Sequence, residues 1–125
     1  MNLLLDTHVL LWWLDDNPTL SNDARAAISE STNIVFISAA VIWEIRIIQF
    51  LGKLKIPKNF RKVLETQPFE MLDITSEHAH KISSFANYHR DPFDRMLISQ
   101  AMVEHFTLVT RDKNIMKYNI SIIKA

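Results

Sequence analysis

The sequence predicts an α/β domain, with a central, mostly parallel sheet and helices on both faces. Short apolar runs rich in β-branched and aromatic residues alternate with stretches of helical length that carry capping signals. The chain has 125 residues, 48% of them hydrophobic and 22% charged, which suits one globular domain over residues 1–125 with a real core. It has no cysteine and a single glycine, Gly52. Disulfide scaffolds, thiol catalysis and Cys-ligated metal sites are thereby excluded, and so are glycine-rich phosphate cradles and dinucleotide loops.

Each element follows from local chemistry. Leu3-Leu4-Leu5 reads as a short buried strand ending at Asp6, and the apolar residues continuing to Leu14 have the length of a helix. Asp15-Asp16-Asn17-Pro18 is a turn. Ser21 or Asn22 caps a helix to about Glu30, and Ile34-Val35-Phe36-Ile37 is a strand. Ser38 caps the next helix, to about Leu51, where Gly52 suits the stop. Pro57 suits the first turn of a short helix through Glu65, and residues 69–74 read as a strand. Ser76 caps a helix to about Asn87, with Glu77 in its first turn. Asp91-Pro92-Phe93-Asp94 opens a helix to about His105. A strand over 106–109, a short helix beginning at Asp112 and a strand over 120–123 complete the chain.

Parallel sheets bind ligands beyond the carboxyl ends of their strands. Asp6, Glu44, Asp91, Asp94 and Asp112 all fall just after strands or early in helices, so the topology gathers them at one end of the domain. Gathered carboxylates repel one another, and a hard divalent cation with oxygen ligands removes that cost. Such an ion also activates water and orients a phosphodiester. The cluster therefore points to metal-assisted phosphodiester hydrolysis. Each acid has a structural alternative: Asp6, Asp91 and Asp112 can cap helices, and Glu44 can be the polar edge of an amphipathic one. For the pair at 91 and 94, the expected division is that Asp91 mainly caps and Asp94 points into the site.

Four stretches carry a family resemblance. They are Leu3-Leu4-Leu5-Asp6-Thr7-His8 with Trp12-Trp13, the segment from Ser38 to Ile45 with Leu51-Gly52-Lys53-Leu54 behind it, the segment from His89 to Ala101, and Leu108-Val109-Thr110-Arg111-Asp112. In this order they resemble PIN-domain proteins of the VapC toxin type across almost the whole chain. The resemblance implies that Asp6, Glu44, Asp94 and Asp112 are catalytic and hold one or two magnesium or manganese ions. It gives Thr7, Asp91 and Thr110 supporting places beside them. It further implies an endoribonuclease, commonly a homodimer, inhibited by a small protein antitoxin. Similar sequences often carry lysine four residues after the helix glutamate; here that residue is Ile48, and Arg46 is the candidate substitute.

Fourteen basic residues balance fourteen acidic ones, which argues against coating nucleic acid by bulk electrostatics but leaves room for a local basic face. Arg46, Lys53, Lys55, Arg90, Arg95 and Arg111 are the candidate RNA contacts, with solvated faces or ion pairing to the acids as their alternatives. His8 and His89 lie beside acids, but a two-metal site needs no histidine base, so local hydrogen bonding is expected of both. Trp12, Trp13 and Trp43 are expected in the core or in an apolar patch rather than stacked on bases. The helix over 7–14 is apolar nearly all round, which predicts a dimer or antitoxin contact there.

No basic segment precedes the first apolar run, and residues 9–14 fall short of the ~20 that cross a bilayer, so a cytoplasmic protein without a membrane partner is expected. Rival readings fare worse. A haloacid-dehalogenase-type phosphatase needs a second aspartate where His8 stands. A receiver domain needs an acidic pair at the first strand and a phosphoacceptor after the third, where Ile74-Thr75 offers none. A catalytically weak PIN fold that only binds RNA or protein is the remaining alternative, disfavoured by retention of all four acids.

Overall fold

The computed structural model describes residues 1–125. Five strands, β1 (Asn2–Leu5), β2 (Ile34–Ser38), β3 (Phe69–Leu72), β4 (Thr107–Thr110) and β5 (Ile122–Lys124), form one sheet in the order β3-β2-β1-β4-β5. Every pairing is parallel, so the sheet is wholly rather than mostly parallel. Leu3, Leu4 and Leu5 are fully buried in succession. Consecutive strand residues point to opposite faces, so both faces of the central strand are covered.

Six helices surround the sheet: α1 (Thr7–Leu14), α2 (Asn22–Ser29), α3 (Ala39–Phe50), α4 (Phe60–Glu65), α5 (Ser76–Lys81) and α6 (Pro92–Glu104). α1 packs on α3, α3 on α6 and α6 on α5, while α2 meets β5. Ile37, Ile45, Leu97, Ile98 and Leu108 fill the core between these helices and the sheet. Ser21 and Ser38 cap their helices as expected, accepting from the N–H groups of Ala24 and Ala40. Gly52 takes φ +72° just after α3, the left-handed conformation that glycine adopts without strain.

Some boundaries differ from expectation. Pro57 lies outside α4, which starts at Phe60 behind Asn59. Ile74 lies beyond β3. The cap of α5 is Thr75, not Ser76: Thr75 and His78 exchange side-chain and backbone hydrogen bonds in a capping box. α5 ends at Lys81 and gives way to a 3₁₀ turn over Ile82–Ser84 rather than running to Asn87. The cause is tertiary. The Arg95 guanidinium donates to the carbonyls of Ile82, Ala86 and His89, supplying partners that a continued helix would otherwise supply. After β4 there is no α-helix at Asp112, only a 3₁₀ turn at Ile115–Lys117.

The apolar residues of α1 are all buried or half-buried, and Trp13 Nε1 donates to Gln67 Oε1 at 3.0 Å. Three of the exposed large apolar residues, Trp43, Phe50 and Leu51, lie on and just after α3, while others such as Ile34, Met71 and Tyr88 are scattered elsewhere.

β1 and β4 are neighbours, yet the chain visits β2 and β3 on one side before returning to β4 on the other. The connections therefore diverge between the carboxyl ends of β1 and β4, opening a crevice in which ligands of such sheets bind.

Candidate active site

One pocket of about 350 Å³ opens at this crevice, lined by Asp6, Glu44, Asp91, Asp94 and Asp112 together with Thr7, His8, Val9, Trp12, Ile48 and Arg111. Four separate segments bring the acids there. Asp6 directly follows β1, Glu44 lies on α3, Asp91 and Asp94 open α6, and Asp112 follows β4.

Two of these acids, Asp6 and Asp91, cap helices as they line the pocket, and Asp112 holds a turn in the same way. Asp6 is the N-cap of α1: Oδ1 accepts from the His8 N–H at 2.9 Å, while Oδ2 accepts from Thr110 Oγ1 at 2.6 Å. Asp112 accepts from the N–H groups of Asn114 and Ile115 through Oδ1 and presents Oδ2 to His89. Asp91 caps α6 through Oδ1, which accepts from the N–H groups of Phe93 and Asp94. In each, Oδ1 is committed to backbone N–H groups and Oδ2 is not. Asp94, one turn into α6, uses neither oxygen to cap. Its Oδ2 lies 3.0 Å from His89 Nε2.

The two threonines orient carboxylates. Thr7 Oγ1 donates to Glu44 Oε1 at 2.5 Å, tying α1 to α3. Thr110 Oγ1 donates to Asp6 and accepts from the Asp112 N–H at 3.1 Å, joining the ends of β1 and β4.

The electrostatics are those of crowded acids. Burial raises the Asp6 carboxyl against the pull of its hydrogen bonds. Burial, with Asp91 and Asp6 nearby, also raises Glu44. Asp94 is pushed up to about 7, first by burial and then by the charges of Asp91 and Asp6. Asp112 moves the other way. Its slight burial acts upward, but hydrogen bonds from His89 and from the Ile115 and Asn114 backbone hold it below the ordinary range.

The basic candidates divide. Arg111 lines the acidic pocket, but its guanidinium donates to the carbonyls of Ala125 and Thr19 and lies 4.5 Å from the Trp12 ring centre. Arg46 does not replace the missing lysine. It turns to Gln49 and to the Phe60 ring in a different cavity, and Ile48 is the residue that reaches the acids. Arg95, a candidate RNA contact, forms an internal clamp on the segment before α6 and stacks over Phe85 at 4.7 Å. Lys53, Lys55 and Arg90 are exposed. Lys55 borders a second, mainly apolar pocket of about 370 Å³ lined also by Leu11, Trp12, Leu14, Ile56 and Phe60. His8 and Trp12 line both pockets.

His89 is the residue that sequence reasoning undervalued. Its Nε2 lies 3.0 Å from both Asp94 Oδ2 and Asp112 Oδ2. The available signal was its place two residues before Asp91, in a segment already leading to the acidic edge.

The PIN domain family matches residues 3–120 of this chain. No curated protein matches the sequence significantly. Among solved structures, VapBC2 from Rickettsia felis bound to a DNA fragment from its promoter aligns with TM-score 0.75 and 18% identity, over 100% of this chain and 99% of that one. DNA-bound VapBC from Salmonella typhimurium aligns with TM-score 0.72 and 18% identity, over 99% and 98% of the two chains. A toxin–antitoxin complex from Klebsiella pneumoniae aligns with TM-score 0.63 and 15% identity, over 96% and 94%. At these identities the structural likeness speaks for the fold.

Proposed function

The chain belongs to the PIN-domain family, and on that premise we propose that it is a metal-dependent endoribonuclease, the VapC-like toxin of a toxin–antitoxin pair. The observation that carries this reading is the pocket with five carboxylates, in which Asp94 is driven to about 7 by burial and like charge. The donor set fits a hard divalent cation: all oxygen, several formal negative charges, and a cost that a cation relieves. Asp6, Glu44, Asp94 and Asp112 would hold one or two magnesium or manganese ions. When bound, such an ion lowers the pKa of a coordinated water and offsets charge on the phosphodiester.

The chain's own residues supply the order. Thr110 and Thr7 fix the rotamers of Asp6 and Glu44, so these carboxylates lose little freedom on meeting a cation. Asp91 sets the start of α6 and thereby the place of Asp94. The exposed side chains of Lys53, Lys55 and Arg90 are the mobile cations available to RNA phosphates, with Arg111 fixed at the pocket wall. In-line displacement of the ribose 3′-oxygen leaves 5′-phosphate and 3′-hydroxyl ends.

Two surfaces suit the protein partners. The apolar pocket under α1 accepts an apolar antitoxin segment, and because it shares His8 and Trp12 with the acidic pocket, its occupant would crowd the acids. The Rickettsia and Salmonella structures are of VapBC, and the Klebsiella one is of a toxin–antitoxin complex, which supports such a partner. The exposed Trp43, Phe50 and Leu51 suit a homodimer contact centred on α3. No helix is long and apolar enough to cross a membrane.

The test is cleavage of RNA by partner-free protein with and without magnesium or manganese, beside Asp94→Asn, with fragment ends mapped by sequencing. Metal-dependent cuts bearing 5′-phosphates and lost in the variant are expected. Cyclic 2′,3′-phosphate ends would contradict the roles given to the acids. Equal cleavage by both proteins would leave a PIN fold that only binds.

A further inference from the structure

His89 sits at the closest approach of two candidate ligands and belongs to neither of their elements. Its Nε2, the Asp94 carboxylate and the Asp112 carboxylate offer ligand atoms that all lie within 4.8 Å of one another. Two roles fit that geometry: a third ligand to the cation, or a hydrogen-bond bridge between the acids.

The other side of the ring separates them. The backbone N–H of Asp91 donates to His89 Nδ1 at 3.2 Å. An N–H group can donate only to a ring nitrogen with a free lone pair, so Nδ1 carries no proton and Nε2 does. The Nε2–H then donates to Asp112 Oδ2, and Asp94 Oδ2 lies off that bond at the same 3.0 Å distance. A histidine that binds metal shows the reverse pattern, with its remote nitrogen donating to a carbonyl or carboxylate. For Nε2 to bind a cation here, the ring would have to move its proton to Nδ1 and give up the Asp91 N–H.

The residue is also held on every polar group. Its backbone N–H donates to Tyr118 Oη at 3.1 Å, and its carbonyl accepts from Arg95 Nη1 at 3.2 Å. Tyr118 is buried, and its hydroxyl accepts from the Tyr88 N–H as well. The Arg95 clamp, Tyr118 and the Asp91 N–H therefore converge on the placement of one imidazole.

We propose that His89 is a positioning residue: its Nε2–H donates to Asp112 and stands 3.0 Å from the Asp94 carboxylate, holding the two carboxylates convergent without itself binding the cation. The inference rests on the reading of the acidic pocket as the nuclease's cation site. With the bridge in place, Asp94 on α6 and Asp112 after β4 approach the cation already aligned. Without it, nothing else in the structure connects their side chains.

The experiment uses Mn²⁺ as the probe, titrated by electron paramagnetic resonance into full-length wild type, His89→Gln and His89→Leu. Glutamine keeps an N–H donor at similar reach, whereas leucine keeps only the bulk. Loss of an outer hydrogen bond of this kind typically weakens metal binding about 10–100-fold. His89→Leu is expected to bind Mn²⁺ at least about tenfold more weakly than wild type, and His89→Gln to recover most of that loss. Unchanged affinity in His89→Leu, or equal loss in both variants, overturns the proposal. Should the leucine variant fail to fold, pulsed spectra of Mn²⁺-loaded His8→Ala protein decide the point with His89 intact. No imidazole nitrogen coupled to Mn²⁺ is expected; such a coupling would make His89 a ligand. A wild type that binds no Mn²⁺ would instead remove the underlying reading of the pocket.

Discussion

Asp94 in the first turn of α6 and Asp112 in the turn after β4 share one imidazole nitrogen at the same 3.0 Å distance, yet their acidities diverge. Asp94 is raised to about 7, while Asp112 lies below its ordinary value. The shared histidine cannot be the cause, since it pulls both downward. Asp94 is the more deeply set and faces the charges of Asp91 and Asp6, with no backbone N–H donating to its carboxylate. Asp112 is shallower and has two backbone N–H groups on Oδ1. Of the two acids that share the histidine, Asp94 thus carries the strain. Of this pair, the acid that needs a cation more is the one the backbone supports less.

The largest expected effect breaks this asymmetry directly. Asp94→Asn removes a destabilised charge and a candidate ligand, and cleavage should fall by roughly a hundred- to a thousandfold, on the scale of losing a principal electrostatic group. Mn²⁺ titration should show a parallel loss of affinity.

A second expectation concerns pH. A cation must displace the proton from Asp94, so affinity should fall about tenfold per pH unit below 7, when one proton is released per ion. Asp112, with its lowered value, contributes nothing in that range. Isothermal titration between pH 5.5 and 8 measures the slope. An affinity independent of pH would mean that Asp94 is already ionised.

The third effect is smaller and of opposite sign. Asp94 binds its proton more tightly when folded than when unfolded, so its stabilising contribution is fully present below about 4 and is lost as pH rises through 7. Above that, its ionised carboxylate is a net cost in the cation-free protein. Asp94→Asn should therefore stabilise cation-free protein at pH 8 by about 1–2 kcal/mol after allowance for partial exposure, or roughly 3–8 °C in unfolding midpoint. The gain should shrink toward pH 4, as thermal melts across pH would show. Asp112 carries the reverse linkage: its stability is present above the unfolded value and is lost as pH falls through its lowered one.

Much of this arrangement was legible in the sequence. Alternating strand and helix patterns implied the parallel sheet, and the acids fell after strands or early in helices. The sequence left capping and site roles as competing readings for Asp6, Asp91 and Asp112. The structure shows Asp6 and Asp91 in both roles at once, whereas Asp112 has no helix to cap and uses Oδ1 to hold a turn while Oδ2 faces His89. An acid at a helix start has the same local pattern in either role, so no sequence signal could separate them. Arg95 and Arg46 were misplaced for a related reason. Charge marks a residue as available for phosphate but says nothing of carbonyls or rings brought near it by distant segments, such as those of Ile82 and Phe60. The truncated end of α5 and the bridging place of His89 depend on the same long-range packing.

The most direct measurement is a carbon-13 NMR titration of the aspartate carboxyls, assigned with Asp94→Asn and run without and then with Mg²⁺. The account predicts an Asp94 midpoint near 7 in the cation-free protein, moving sharply downward when Mg²⁺ is added, while Asp112 titrates below the ordinary aspartate range in both. An Asp94 that titrates near 4 and ignores Mg²⁺ would contradict it, because the pocket would then hold neither strained charge nor cation.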